Sequence, residues 1–228
     1  MEIKMRVGIL GGAFDPVHCG HIALATAAHK IFQLDRVLFV PAYASPHKLN
    51  QPLTATIHRI AMLQLALKDI PEFSISDVEI KRKGVSYSID TLKFIQKMHP
   101  ETDFYLILGA DTFLDLNAWK EFRQLITLCH IVVGNRPGFP FLDPMKVLEQ
   151  IFGKQDNPYR QASKPTEFEQ PSCGRNIFFF QMEPQDISSR NIRRGDQVSC
   201  SAKKILPPIV DQYIMKNQLY KEGLTLSE

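Results

Sequence analysis

Two histidines three residues apart, His18 and His21, are the side chains of this sequence whose spacing most directly indicates chemistry. They follow a pair of glycines at positions 11 and 12 and a turn at Asp15-Pro16. The apolar run before the glycines predicts a strand, and the apolar spacing after the histidines predicts a helix. Glycines let backbone N–H groups approach a ligand, and a helix start adds donors and a positive dipole end. With two imidazoles beside them, these donors favour a bound polyphosphate; the alternative is a turn whose histidines only cap the helix.

A serine pair and an arginine near the other end of the chain form a second candidate phosphate site. Ser188 and Ser189 precede a helical segment and supply a capping hydroxyl and backbone donors, while Arg193 adds a guanidinium one turn later. By itself this stretch also fits an ordinary capped helix with solvated arginines. Because it occurs in the same chain as the histidine loop, we expect the two stretches to close on opposite sides of one triphosphate.

Three further residues lie on predicted loops and could contribute to the same site. Lys48 is in a loop marked by two prolines, Asp111 follows a buried apolar run, and Trp119 is the only tryptophan. A loop lysine is commonly solvated and a tryptophan commonly packs in the core, so those interpretations stay open. Asp111 is a candidate for binding ribose hydroxyls, as carboxylates do in other doubly wound nucleotide sites.

The elements that would position these residues alternate between strands and helices. The apolar patterns predict strands at 6–10, 37–40, 73–80, 105–108, 131–133 and 177–181. They predict helices at 21–32, 88–99, 121–127, 144–152, 188–194 and 207–219, and one that has Thr54 as its N-cap and carries Ile57, Ile60, Leu63 and Leu67. Such alternation is typical of a doubly wound α/β fold with a mainly parallel, Rossmann-like sheet that binds ligands at the carboxyl ends of its strands. We expect a single domain, 1–228, with 139–174 as a surface excursion whose shape the pattern leaves open.

Composition argues against several classes of protein. Lys and Arg number 27 against 24 Asp and Glu, and the resulting charge of +3 is too small to predict a nucleic-acid surface. No apolar run approaches the roughly 20 residues that span a bilayer, and no secretory cleavage pattern follows the first one. The four cysteines are dispersed, so we expect no metal held by the protein itself. We therefore expect a cytoplasmic protein without nucleic-acid or membrane partners. The sequence does not determine the oligomeric state, which we expect to be a monomer or small homo-oligomer.

The string Gly-Gly-x-Phe-Asp-Pro-x-His-x-Gly-His at 11–21 resembles the signature of the nucleotidyltransferase superfamily, whose members carry an (H/T)xGH motif after the first strand. Residues 187–193 resemble the ISSTxIR motif of that superfamily, with Arg190 in place of threonine. The segments at 46–48 (PHK), 86–91 (SYSIDT) and 109–119 (GADxxxxLxxW) match three further elements. Taken together, these motifs look most like the nicotinate-mononucleotide adenylyltransferases of NAD synthesis.

The resemblance implies transfer of AMP from ATP to nicotinate mononucleotide, with Mg²⁺ carried on the ATP phosphates. It implies charge-stabilising catalytic roles for His18, His21, Lys48 and Arg193. It implies ATP contacts from Gly11, Gly12, Phe14, Asp111, Ile187, Ser188, Ser189 and Arg193. It implies mononucleotide contacts from Ser88, Thr91, Trp119 and Arg136, with Trp119 stacked on the cationic pyridine ring; Arg136 has the alternative of shaping only the adenine side.

Three rival functions share these features. The acceptor of the adenylyl group could be nicotinamide mononucleotide, which differs from the acid by one group. It could be phosphopantetheine, although threonine is then expected in place of His18. A protein that senses nucleotides without turnover is the third rival. The presence of all four residues with an expected catalytic role argues against it: His18, His21, Lys48 and Arg193.

Overall fold

The computed structural model describes residues 4–46, 53–135, 143–182, 187–194 and 205–220, and a β-sheet lies at its centre. The strands are β1 Met5–Gly12, β2 Arg36–Pro41, β3 Phe73–Ile75, β4 Thr102–Gly109, β5 His130–Asn135, β6 Arg160–Gln161, β7 Glu167–Gln170 and β8 Arg175–Gln181. Their spatial order is β3-β2-β1-β4-β5-β8-β7-β6. Pairing is parallel from β3 through β8 and antiparallel for β7 and β6, which confirms the predicted mainly parallel, doubly wound sheet.

Helices connect the successive strands from β1 to β6, and two further helices follow β8. They are α1 Cys19–Phe32, α2 Thr56–Leu67, α3 Val78–Arg82, α4 Ser88–Met98, α5 Ala110–Leu114, α6 Phe122–Leu128, α7 Pro144–Phe152, α8 Ser189–Arg194 and α9 Pro208–Lys216, with a short 3₁₀ helix at Leu116–Ala118. In the ranges that the structure describes, no helix is both long and apolar enough to cross a membrane.

The apolar side chains of the central strands face the two sides of the sheet alternately. One face packs against α4, α6 and α7 and includes Ile9, Leu106 and Val133. The other packs against α1, α2 and α9 and includes Leu10, Ile107 and Val132. Because helices cover both faces, each central strand is buried on both sides and its sequence is a continuous apolar run.

The strand predicted at 73–80 is wrong beyond Ile75. The strand β3 ends there and α3 begins at Val78, with the Lys81 N–H donating to the Asp77 carbonyl at 2.8 Å. The alternation that favoured a longer strand has another cause, since Val78 is buried on a helix. At this edge β3 pairs with β2 over three residues only, so little strand pairing holds the chain extended past Ile75.

The N-cap predicted at Thr54 is also wrong, because the N-cap residue of α2 is Ala55. The Thr54 backbone instead joins other elements. Its N–H donates to a carboxylate oxygen of Asp15 at 3.1 Å, and its carbonyl accepts from Arg59 at 2.9 Å. Ile57, which the spacing grouped with core residues, is exposed.

Residues 153–174, whose shape the sequence left open, contribute strands to the sheet. The strand β7 pairs with β8, and β6 pairs with β7 at the edge. Phe168 is buried, with its ring edge-to-face against Phe179 at 5.7 Å between centroids. Tyr159 is buried in the same cluster.

Candidate active site

A cavity of about 410 Å³ lies at the carboxyl ends of β1 and β4, where the strand order reverses. This is the place where doubly wound folds bind ligands. Five residues that the sequence singled out line the cavity: Gly11, Gly12, Ser88, Asp111 and Trp119. They come from separate stretches of the chain, and the parallel sheet brings them together because its strands end at one edge.

The histidines line a smaller cavity, together with Gly109 of β4 and Gly134 of β5. These two glycines were missed by the sequence reasoning. A Cβ at Gly134 would collide with the side chain of Leu24 on α1, so glycine here allows α1 to lie close to the strand end. The signal that could have found them is a glycine at the end of each buried apolar run.

The first turn of α1 fixes the two imidazoles relative to each other. His18 is the N-cap residue, and its backbone N–H donates to Nδ1 of His21 at 3.3 Å. The rings stack with centroids 3.7 Å apart, and the Phe14 ring meets His21 edge-on at 5.0 Å. Because Nδ1 of His21 accepts a hydrogen bond, the neutral ring carries its proton on Nε2, where it can donate to a ligand. Phe14 itself is buried and supports the His21 ring from below.

The two predicted halves of the phosphate site contact each other. Ser189 Oγ, at the start of α8, donates to the Pro16 carbonyl at 3.0 Å. The Arg193 guanidinium donates to the Asp15 carbonyl at 2.5 Å. These bonds join positions 173 and 178 residues apart in the sequence. The loop at 11–21 and helix α8 therefore lie side by side, as one shared ligand would require.

The residues before α8 are held locally. The Ser188 hydroxyl accepts from the backbone N–H of Arg190 at 3.2 Å, which is a capping contact at the helix start. Ile187 is buried, so its side chain anchors the segment to the core. Arg190, which replaces the threonine of the ISSTxIR motif, is exposed.

A buried arginine that the sequence reasoning missed holds three loops together. Arg59 is 1% exposed and donates to the carbonyls of Ala13 and Ala42, each at 2.8 Å, and to that of Thr54 at 2.9 Å. Ala13 and Ala42 both line the cavity. Burial lowers the pKa of Arg59, while the negative charge of Asp15 opposes that shift. An arginine in an otherwise apolar stretch of helix is the signal that could have identified it.

Asp15 is a second missed anchor. Its carboxylate accepts from the Thr54 N–H at 3.1 Å and from the Tyr220 hydroxyl at 2.7 Å. Burial, followed by the Asp15 charge, raises the pKa of Tyr220, so this phenol stays protonated and donates. Asp15 thereby ties the histidine loop to the start of α2 and to the residues after α9. Sequence spacing gave no signal for the Tyr220 contact.

The far wall of the cavity is built on α4 and on the residue after the 3₁₀ helix. Ser88 begins α4, and Trp119 is half-buried with its side chain packed against the core. Thr91 lies one turn deeper and is 2% exposed. Its hydroxyl donates to Glu79 at 2.6 Å and accepts from Arg82 at 3.0 Å. Thr91 therefore fixes α4 against α3, while Ser88 reaches the cavity.

Two predicted site residues, Lys48 and Arg136, lie outside the described residues, so their roles stay predictions. Pro46, two positions before the lysine, lines the cavity. Among the described residues, no three or more His, Cys, Asp or Glu side chains are grouped so as to hold a metal ion.

Comparison with known sequences places these features in context. The chain matches the cytidylyltransferase-like family over residues 9–195. It is 38% identical over 219 residues to a protein of Geotalea daltonii named as a probable nicotinate-nucleotide adenylyltransferase, covering 96% of this chain and 100% of the relative. A protein of the same name from Desulfitobacterium hafniense is 37% identical over 216 residues, covering 95% of this chain and 96% of the relative.

Comparison with solved structures supports the fold. Plasmodium falciparum nicotinic acid mononucleotide adenylyltransferase complexed with NaAD superposes with a TM-score of 0.70 at 20% identity, covering 94% of this chain and 97% of that one. The same enzyme complexed with APC gives a TM-score of 0.70, covering 96% and 98%. At this identity the similarity establishes a shared architecture.

Proposed function

The chain belongs to the cytidylyltransferase-like family, and from this premise we propose how its site works. It is an adenylyltransferase that transfers AMP from ATP to nicotinate mononucleotide, giving nicotinate adenine dinucleotide and pyrophosphate in NAD biosynthesis. The observation that supports the proposed arrangement is the contact of α8 with the histidine loop, Ser189 to Pro16 and Arg193 to Asp15. Because the two stretches are adjacent, one triphosphate can reach both.

The reaction needs no side-chain nucleophile. A phosphate oxygen of the mononucleotide attacks the α-phosphorus of ATP, a new P–O bond forms, and the bond to the bridging oxygen breaks as pyrophosphate leaves. Catalysis therefore comes from alignment of the two substrates and from stabilisation of the charge that develops on the phosphate oxygens. We propose that the glycines at 11 and 12 let the substrates approach the backbone closely at the strand end.

His21 is proposed as the main donor to the α-phosphate. Its Nδ1 accepts from the His18 N–H, which places the proton of the neutral ring on Nε2, the nitrogen that we propose donates to an oxygen of the ligand. His18 stacks on His21 and lines the same small cavity, which supports a second contact to that phosphate. The buried ring of Phe14 keeps His21 in place.

Arg193 is proposed to bind the β- and γ-phosphates and to stabilise the leaving pyrophosphate. One of its N–H groups is used by the Asp15 carbonyl, which fixes the planar guanidinium and leaves the other donors for phosphate. The hydroxyls and backbone of Ser189, the first residue of α8, and of Ser188 directly before it are proposed to contribute further contacts. For Lys48, the motif at 46–48 supports the same role.

The cavity between β1, β4 and α4 is proposed to receive the mononucleotide. Trp119 stacks on the pyridine ring, whose positive nitrogen is attracted to an indole face by about 0.5–2 kcal/mol. The Ser88 hydroxyl at the start of α4 donates to the ring carboxylate. Asp111 accepts from ribose hydroxyls, and Arg136 is proposed to complete the nucleotide contacts.

We propose that Mg²⁺ enters with ATP, held by phosphate oxygens and water. The residues of the cavity fit this proposal. Its carboxylates, those of Glu79, Asp111 and Asp115, do not form a metal-binding group among the described residues, and an ion held by triphosphate oxygens does not need one. When bound, Mg²⁺ offsets part of the negative charge on the triphosphate. We further propose that the protein acts in the cytoplasm, as a monomer or small homo-oligomer, without nucleic-acid or membrane partners.

The test incubates purified protein with ATP and Mg²⁺ and, in separate reactions, nicotinate mononucleotide, nicotinamide mononucleotide and phosphopantetheine. Products are separated by liquid chromatography and pyrophosphate is measured in parallel. We expect equal amounts of nicotinate adenine dinucleotide and pyrophosphate, with slower turnover of the amide. Turnover of phosphopantetheine alone would contradict the proposal, and ATP binding without pyrophosphate release in any reaction would indicate a nucleotide sensor.

A further inference from the structure

The cavity proposed for the nicotinate ring carries an uneven set of charges. Three carboxylates line it, those of Glu79, Asp111 and Asp115. Among the described residues that line it, Lys120 is the one with a basic side chain. A ligand carboxylate entering this cavity is repelled by like charges, whereas an uncharged carboxamide is not. Binding of the acid therefore calls for a counter-charge inside the cavity.

The Lys120 side chain is directed toward the start of α4. Lys120 directly follows Trp119, and its Nζ lies 3.1 Å from an Asp90 carboxylate oxygen. The same Nζ lies 4.9 Å from the centroid of the Tyr87 ring. Tyr87 precedes Ser88 directly and Asp90 follows it by two residues, and Tyr87, Ser88 and Lys120 all line the cavity, so the ammonium group is held at the start of α4 beside the cavity.

We propose that Lys120 determines specificity for the acid. Its ammonium group, oriented by Asp90 and Tyr87, pairs with the carboxylate of nicotinate mononucleotide and offsets the carboxylates that line the cavity. Nicotinamide mononucleotide, with a neutral carboxamide at that position, gains little from the ammonium. This inference rests on the proposed function and adds the residue that distinguishes its substrate from the closest competitor.

The test replaces Lys120 by methionine, which keeps much of the side-chain length and removes the charge. Lys93→Met is the matched control, because Lys93 is on α4 but does not line the cavity, is paired with Glu121 at 2.9 Å, and has a similar exposure of 42% against 40%. Lys120→Arg keeps the charge. The values of kcat/KM are measured for acid and amide mononucleotides at saturating ATP, and thermal melts check that each variant folds.

We expect Lys120→Met to lower kcat/KM for the acid about tenfold and for the amide less than about twofold. Lys120→Arg retains most of the preference, and Lys93→Met leaves it unchanged. Added salt lowers the ratio of kcat/KM for the acid to kcat/KM for the amide in the wild type and leaves this ratio unchanged in Lys120→Met. Equal losses for the two substrates, or an equal effect of Lys93→Met, would overturn the inference.

A binding measurement separates this inference from the proposed function. Calorimetric titration of each mononucleotide without ATP gives the ratio of the two dissociation constants in the wild type and in Lys120→Met. If the wild type makes no dinucleotide, the proposed function fails, and a ratio that depends on Lys120 still supports the inference. A ratio that does not depend on Lys120, or no binding of nicotinate mononucleotide to the wild type, overturns it.

Discussion

Replacing Arg59 by methionine tests whether one buried side chain holds the catalytic loops in place. The change removes the donors to three carbonyls, those of Ala13, Ala42 and Thr54. A buried polar group that loses its partner costs about 1–3 kcal/mol. The cost for the three carbonyls together is reduced because the structure relaxes and water enters the site. We therefore expect the free energy of unfolding to fall by about 3–5 kcal/mol. For a chain of this size that corresponds to a loss of about 10 °C in Tm.

Arg59→Met should also impair the use of ATP, because Arg59 holds the loops next to the proposed phosphate site. Ala13 belongs to the loop that leads to the histidines and Ala42 to the loop that follows β2, so without Arg59 these two loops lose their common anchor. We expect kcat/KM for ATP to fall by at least about tenfold, since a misplacement of about 1 Å can cost far more than that. Arg59→Lys, which keeps the charge but not the planar fork, should give intermediate losses.

Urea unfolding followed by circular dichroism gives the free energy, and initial rates at varied ATP give kcat/KM. Arg36→Met is the matched control, because Arg36 is exposed at the start of β2, and its effect on the free energy should stay within about 0.5 kcal/mol. The reasoning is refuted if Arg59→Met unfolds within about 1 kcal/mol of the wild type and retains its kcat/KM for ATP.

Three further predictions concern single side chains. His21→Ala should lower kcat by about 10²–10³, as loss of one charge-stabilising donor does, and near wild-type turnover would remove His21 from the mechanism. Trp119→Ala should raise KM for the mononucleotide and leave KM for ATP nearly unchanged; equal rises would indicate a structural role. Burial, and next the Arg175 charge, lowers the pKa of His130 to about 4 from 6.5. The unfolded state thus binds more protons between these values, so the free energy of unfolding should fall as pH drops from about 6.5 to about 4. His130→Gln should flatten that fall in urea midpoints, and an unchanged pH dependence would contradict the assignment.

The central strands and the turn between β1 and α1 could be predicted because their signals are local, although α1 begins at Cys19 and not at residue 21 as predicted. A strand buried on both faces must be an apolar run, and the residues around His18 and His21 form a turn whose type follows from its own glycines and proline. The helix predicted at 144–152 is confirmed with the same bounds for a similar reason. The sequence shows an aspartate, Asp143, followed by a proline, both typical of a helix start, and in the structure the Asp143 side chain accepts from the N–H groups of Met145 and Lys146.

What escaped prediction depends on partners far away in the chain. The apolar alternation at 73–80 fits a strand or a short helix equally, and the three-residue pairing of β3 with β2 decides between them. Thr54 has the side chain of an N-cap residue, but its backbone is used by Asp15 and Arg59. The edge strands β6 and β7 were missed for a different reason, because they pair with neighbours in sequence (Gln161 with Phe168, Gln170 with Arg175) but are only two and four residues long, too short for an apolar alternation to mark them.

The two ends of the site are held by different physical means, and this follows from the reaction. The proposed adenylyl transfer uses no side-chain nucleophile and so depends on donors fixed in position, and the segment between β1 and α1 is anchored through Arg59, Arg193 and Tyr220. These anchors come from α2, α8 and the residues after α9, so the loop is complete only when the end of the chain has folded against its beginning. Recognition of a flat cationic ring instead needs a surface to stack on, and the Trp119 side chain, which is packed against the core, is the surface that we propose for it. A substitution at Arg59, Arg193 or Tyr220 should therefore change mainly kcat and KM for ATP. A substitution in the part of the cavity formed by α4 and Trp119 should change mainly the KM values for the mononucleotides.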